Sequence, residues 1–513
     1  MRNRAIHLLS RLTFGATPQS INEVLEMGEM EWLESQLAPA PEGNQNLRAS
    51  LSELSTIKMN SIELQEHVSK GLEGGAGASE ENAKELQRRR RIPKADLTQA
   101  IALTCVQGTR QVEAVLADFF RNHFNVSYTK GGPSDLLITD YDRSVVRKNV
   151  LGDFPTMLRA SAKHPAMLHY LDNHLSRRPP SKQELAQIER RARRKTGSKQ
   201  RGEEAAAIAS QRGLNENYAR ELLELHTLGV DNYYKQKDVI AVAEALTGWT
   251  FDGGREGTWD FKFRGDMHVK GDKKVLGKMI RSESDNGLLD GEAVLDILCK
   301  HKGTASFVAM KLVRYLVADN PPESLVKAVA KDFRKTKGDI PSMVRTIVKS
   351  DEFWEAENVG SKFRTPFEFM CAALRSANAN IESTGRCLNR LREMGQPILH
   401  CDDPTGYYDV AESWLDPGAM ALRWQFALDL VSGSLKGVKL PEDYYDDLPQ
   451  GVPRLWQHHL TKKLLPSGAA QRTRNALSTI TDSYLAKEKF PDSRALGPQL
   501  VGLLIGSPEF QMQ

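Results

Sequence analysis

The chain reads as mainly all-α, an irregular multi-helix body with one small β-hairpin near 249–263. Three observations predict this. Apolar residues recur at three- and four-residue spacing through most of the 513 residues. Helix start and stop signals bracket those runs, as Asn215 and Gly229 do in the middle of the chain. Alternating aromatic residues are confined to Trp249–Phe251 and Trp259–Phe263, either side of an Asp252–Gly254 turn. No fixed repeat period is apparent, so a solenoid is not expected.

In chain order, residues 1–38 predict two short helices separated by FGATP, with Pro18 opening the second. Residues 49–70 have helical spacing, and Gly74–Ser79 is a flexible break. The run Arg88–Arg91, with Pro93 beyond it, reads as a solvated helix end. Ala102–Phe124 reads as one amphipathic helix that turns His123 inward. Phe154–Ala162 and Pro165–Leu171 are two more helices, and Asp172 and Asn173 cap the second. Residues 174–214 carry RRPP and RRARRK, a basic insertion read as a partly helical arm. Beyond the hairpin, Gly291–Lys300, Ala305–Val317, Leu325–Lys335, Ile340–Ser350, Pro366–Ala377 and Arg423–Leu430 are helical. So are segments near 470–486 and 495–505. Gly395–Gly406 is a long loop, followed by Tyr407, Tyr408, Asp409 and Trp414. These aromatics either anchor the loop or form a binding ledge. Lys311 and Arg314 give one helix a positive edge.

Composition narrows the class. Hydrophobic residues make up 40% and charged residues 27%, ordinary for a globular protein. The length suits roughly two to four domains. The expectation is nonetheless a single unit, 1–513, covering nearly the whole chain, within which sub-parts are read at 1–173, the basic insertion 174–214, the central helices with the hairpin at 215–277, and 278–513. A net charge of +4 is too mild to indicate nucleic acid, and the insertion lacks interleaved aromatics. Cys105, Cys299, Cys371, Cys387 and Cys401 show no CxxC spacing, so buried reduced thiols are expected rather than a disulfide framework. No apolar run reaches membrane-spanning length. Arg11 interrupts the apolar residues of the N-terminus, which speaks for a cytoplasmic protein.

The densest set of polar residues inside an apolar helical pattern lies in NENYARELLELHTLGVDNYYKQKDVIAVAEALTG, residues 215–248. Asn217, Glu221 and Glu224 fall at i, i+4 and i+7 and share one stripe. Arg220 is spaced to pair with Glu216 and Glu224, and His226 sits near the helix end. Two readings stay open. A carboxylate–amide–histidine site would suit hydrolytic or metal-assisted chemistry, a divalent metal being the candidate cofactor. Alternatively the same residues form a structural polar network in a non-enzymatic binding or assembly protein. The spacing matches neither HExxH nor the Glu-x-x-His of di-iron bundles. Candidate catalytic residues are Asn217, Glu221, Glu224 and His226. Candidate binding residues are His123, Asn125, Asp172, Asn173, Arg220 and His268, with Asp266 and Asp272 as a second wall.

NENYARELLELHTLGV followed by DVIAVAEALTGWTF closely resembles the signature of the bacterial family known as domain of unknown function 1800. Agreeing segments run in order along the chain: HLLSRLTFGATP at 7–18, FFRNHFNVS at 119–127, KHPAMLHYLDN at 163–173, AMKLVRYLV at 309–317, KFRTPFEF at 362–369, Gly395–Trp414, and SPEFQ at 507–511. The resemblance implies no particular activity. It strengthens His123 and Asn125 as site candidates. Members often carry an export signal, which this N-terminus departs from. They also often sit beside domain of unknown function 1501, so the resemblance implies a partner from that second family.

Overall fold

The computed structural model describes residues 1–71, 79–210, 213–253, 257–282, 286–488 and 490–513. Among them are 25 α-helices and three two-stranded antiparallel sheets, so the molecule is mainly all-α. Five helices build the functional region: α1 (Gln111–His123), α2 (Asn217–Leu223), α3 (Gln236–Leu246), α4 (Lys302–Leu316) and α5 (Pro366–Ser376). Strands β1 (Trp249–Phe251) and β2 (Phe261–Phe263) pair antiparallel, Thr250 opposite Lys262. This is the expected hairpin; Gly254 of its turn lies outside the described residues, as does the Gly74–Ser79 break up to residue 78.

One hydrophobic cluster runs from Ala5 to Phe510. Distant segments are tied to it by buried polar contacts. The first helix, Arg2–Leu12, sends His7 Nε2 to Phe353 O at 2.7 Å and Arg11 Nη2 to Asn358 O at 2.6 Å. The C-terminus returns to the segment before α5, where Gln513 N donates to Lys362 O at 2.8 Å. Residues at both chain ends therefore help to define the middle.

Local chemistry fixes the element ends. Thr365 accepts from the Glu368 backbone N–H while Glu368 reaches back to Thr365 N, a capping box that starts α5 with Pro366 in its first turn. At Gly248 (φ 82°) a Cβ would lie 2.4 Å from Arg264 O, so only glycine lets α3 turn into β1.

Four expectations need correction. The N-terminal 38 residues form three helices, because Gly28 (φ 87°) breaks the second run at Met27. Arg88–Arg91 is not a helix end but lies within the long helix Glu80–Gln107, which also contains Pro93. Arg88 and Arg89 pair there with Glu85. The span Ala102–Phe124 is two helices. At Gly108 a Cβ would meet Thr104 O at 2.4 Å, and Gln111 Nε2 then donates to Cys105 O and Gly108 O, closing one helix and opening α1. Helices Gly385–Glu393 and Pro453–Leu464 escaped the apolar pattern, since few of their residues are buried. The basic insertion is a helical pair, Lys182–Thr196 and Lys199–Ser210, turned by Gly197 (φ 68°), and the first of the two buries no residue.

Candidate functional site

The central stripe turns out to be mostly paired. Asn215 Oδ1 accepts from Asn217 N at 2.9 Å at the start of α2. Asn217 itself is exposed and its Nδ2 reaches Leu171 O at 3.4 Å. Glu224 accepts from Tyr234 OH at 2.6 Å and from Arg220 at 3.3 Å, while Arg220 also donates to Gln236 Oε1 at 2.8 Å. These bonds staple α2 to α3. After Leu223 the helix widens into a π-turn, Glu224–Leu228, with Thr227 Oγ1 donating to Leu222 O at 2.6 Å before Gly229 (φ 89°) ends it.

That wide turn carries His226 into the core. Its ring lies 5.3 Å from Phe124 and 6.4 Å from Tyr218, centroid to centroid. Burial, then the nearby charge of Lys311, pushes its pKa down to about 3. The ring is therefore neutral. His123 Nε2 bonds His226 O at 3.1 Å, and burial likewise lowers its pKa well below the usual value. Glu221 differs. It has no hydrogen bond among the described residues and is half-buried, and burial with neighbouring Glu224 and Asp403 pushes it up to about 7.

The remaining candidates separate. Asn125 Nδ2 holds the 395–409 loop through Asp403 O (2.8 Å) and Cys401 O (3.2 Å). Asp172, in the left-handed region at φ 60°, pairs with Lys130 at 2.7 Å. Asn173 Nδ2 donates to Leu246 O and Trp249 O. His268 belongs to a different, sealed cluster. Its Nε2 lies 3.1 Å from Asp290, which also accepts from Lys273 at 2.6 Å and Ser282 at 2.9 Å. Asp266 and Asp272 are exposed. The candidates do not form one site.

A cavity of about 270 Å³ opens instead between α1, α4, α5 and the 395–409 loop. Phe119, Leu225, Phe307, Met310, Phe367 and Ile398 give it apolar walls. Exposed Tyr408 and Val230 stand at its edge. The loop wall is clamped to α1, because Asn122 Oδ1 accepts from Tyr407 N at 2.7 Å and its Nδ2 donates to Tyr407 O at 2.8 Å. Gly406 (φ 80°) is required there, since a Cβ would fall 2.4 Å from Asn122 Oδ1. Tyr407 OH and Trp414 Nε1 donate to Pro397 O and Tyr408 O, so these two aromatics anchor the loop.

Polar groups converge on this apolar space. Asp118 on α1 accepts from Tyr315 OH on α4 at 3.3 Å, and burial pushes its carboxyl up to about 7 against the pull of Arg121. Asp409 is held by Lys362 Nζ at 2.7 Å, yet burial raises it to about 6. Lys311 lies one helical turn before Tyr315 on α4. Burial lowers its pKa to about 8, and it makes no hydrogen bond or ion pair among the described residues. Glu368 accepts from Gln513 Nε2 at 3.0 Å. Its charge faces the buried guanidiniums of Arg364, Arg11 and Arg423, which burial lowers to about 10. Perturbed groups concentrated in an apolar cavity make it the candidate site on physical grounds. Among the expected residues, His123 and Asn125 line this cavity, and Leu225 brings α2's continuation to it.

Asp118, Lys311, Tyr315 and Asp409 were not predicted as one site. Asp118 and Lys311 each interrupt an otherwise apolar run, VLADFF and VAMKLV, and that interruption is the signal that points to them. Among the described residues no three His, Cys, Asp or Glu side chains converge to hold a metal ion. No described helix is long and apolar enough to cross a membrane.

Residues 7–512 match the model of the family described as protein of unknown function (DUF1800), and the chain belongs to that family. No curated protein and no solved structure matches it.

Proposed function

We propose that this DUF1800 protein is a hydrolytic enzyme working by acid–base chemistry on a small molecule with an apolar body, bound in the cavity between α1, α4 and α5. The observation that carries the reading is a pair of carboxyls in one cavity that are held differently, Asp409 by the Lys362 ammonium at 2.7 Å and Asp118 only by the Tyr315 hydroxyl at 3.3 Å, while burial raises both. Environments that split two carboxyl pKa values assign an acid and a base. Asp118, protonated more readily, is the proton donor, and Tyr315 orients it. Asp409, kept anionic by Lys362, is the base that activates water.

A second reading applies to the central stripe. Asn217, Glu224 and His226 are assigned a structural role, because Glu224 is paired across α2 and α3 and His226 is sealed in the core. Buried polar contacts of this kind fix helix register.

Turnover of a panel of ethyl esters, acetate to octanoate, tests the proposal, because the departing ethoxide needs the proton that Asp118 supplies. Asp409 must be ionised and Asp118 protonated, so the rate should peak between pH 6 and 7. Asp118→Asn should lower kcat by about 100-fold, while Glu224→Gln should leave it unchanged. Hydrolysis that Asp118→Asn leaves untouched contradicts the assignment.

A further inference from the structure

The charges around the cavity do not balance. Arg121 is matched by Asp142 at 2.5 Å, and Lys362 by Asp409 and Asp319 at 2.7 and 2.8 Å. Glu368 faces Arg364, Arg11 and Arg423. Lys311 and Arg314 remain. Neither has a carboxylate partner among the described residues, and Arg314 gives its Nε only to a backbone carbonyl, Asp319 O, at 3.2 Å. Both line the cavity from α4 at i and i+3, so they share a face. The Lys311 ammonium lies 5.7 Å from the Phe307 ring, against the apolar wall. A part-buried cation with no carboxylate within ion-pair distance is costly, and a ligand that supplies the anion recovers that cost.

We infer that the cavity takes a small organic carboxylate, its head group between Lys311 and Arg314 and its hydrocarbon body against Phe119, Phe307, Met310 and Ile398. The inference rests on the reading of this cavity as the substrate site and deepens it, the bound anion being the acid that ester hydrolysis releases there. A single negative charge suits the site better than a phosphate dianion. Glu368 and Asp409 line the same cavity and would repel a second charge, and the α5 N-terminus in its lining is already closed, since Thr365 N and Glu368 N are held by the capping box and Phe367 N donates to Gln396 Oε1 at 2.8 Å.

Calorimetric titration of the full chain with carboxylates from butanoate to octanoate and phenylacetate, each beside its primary amide, tests the inference. The carboxylates should bind at least about tenfold more tightly than the amides. Lys311→Met should remove that preference without weakening amide binding, and Lys311→Arg should keep it. Amides binding as tightly as acids, or Lys311→Met retaining the preference, overturns the anion assignment and leaves the cavity reading standing. Absence of binding by both series, or binding that survives filling the cavity with Phe307→Trp, overturns the cavity reading and the inference together.

Discussion

The α2–α3 hairpin and the cavity beside it use the same residue types to opposite ends. In the hairpin, Glu224 has Tyr234 and Arg220, and the His226 ring is sealed among aromatics. In the cavity, Lys311 has no partner among the described residues and Asp118 has one weak one, the 3.3 Å contact from Tyr315. Paired groups hold a structure in register. Unpaired groups in an apolar space keep a chemical potential that a ligand can use. Polarity within a helix therefore does not by itself mark a site; what matters is whether its partners lie in the protein.

The comparison is broken most sharply at His226. His226→Ala removes a fully buried ring and should cost about 2–4 kcal/mol, read by chemical denaturation. Carboxylate binding in the folded fraction should persist. Loss of binding with full stability would mean that the hairpin, not the cavity, holds the ligand.

A pH series should show the same core histidines. Their folded pKa values are depressed, to about 3 for His226 and about 4 for His7. The fold keeps them neutral while the unfolded chain protonates near 6.5. Stability from this source is present above pH 6.5 and is lost as pH falls toward 3, by up to about 1.4 kcal/mol per unit of pH for each ring. A His226→Gln variant whose stability falls between pH 6.5 and 4 as steeply as that of the natural chain would contradict the burial of this ring.

Glu221 sharpens the boundary between the two regions, because it stands on the central helix yet is unpaired. Its folded pKa, about 7, is raised, so ionisation costs stability as pH climbs from 4.5 through 7. Glu221→Gln should stabilise the protein at pH 8 by under about 1 kcal/mol, the half-exposed site being screened by solvent. Ester turnover should stay intact. The smallest effect belongs to Arg220→Ala, an exposed pair worth about 0.5 kcal/mol or less, measured as a shift in midpoint.

Most of the fold was legible because it rests on local signals. Apolar spacing located α2 through α5, and Pro366 and Gly229 marked ends that the structure keeps. The break at Gly108 was not legible, since it rests on a close approach to Thr104 O that only glycine allows and on the Gln111 side chain bonding back to Cys105 O and Gly108 O. The site was legible only in part. His123 and Asn125 do line the cavity, and Lys311, Arg314, Asp409 and the 395–409 loop stood out for other reasons. What joins them is long-range. Tyr315 reaches Asp118 across 197 positions, and Lys362 reaches Asp409 across 47. No periodicity within one helix reports such a pairing. The central stripe drew attention because its partners, Tyr234 and Gln236, lie beyond the turn that separates them from it.

The most direct test of this account needs no substrate. Asp118 is held near 7, so the native state keeps a proton that the unfolded chain releases near 3.8, and its own contribution to stability falls as pH rises from 4 to 7, opposite in sign to that of the histidines. Unfolding free energy is measured at pH 5, 6, 7 and 8 for the natural chain and for Asp118→Asn. The account predicts that the variant loses this decline and becomes more stable at pH 8, by about 1–3 kcal/mol, while losing ester turnover. Parallel pH profiles, with the variant less stable throughout, would show Asp118 to be a paired structural carboxylate and would contradict the account.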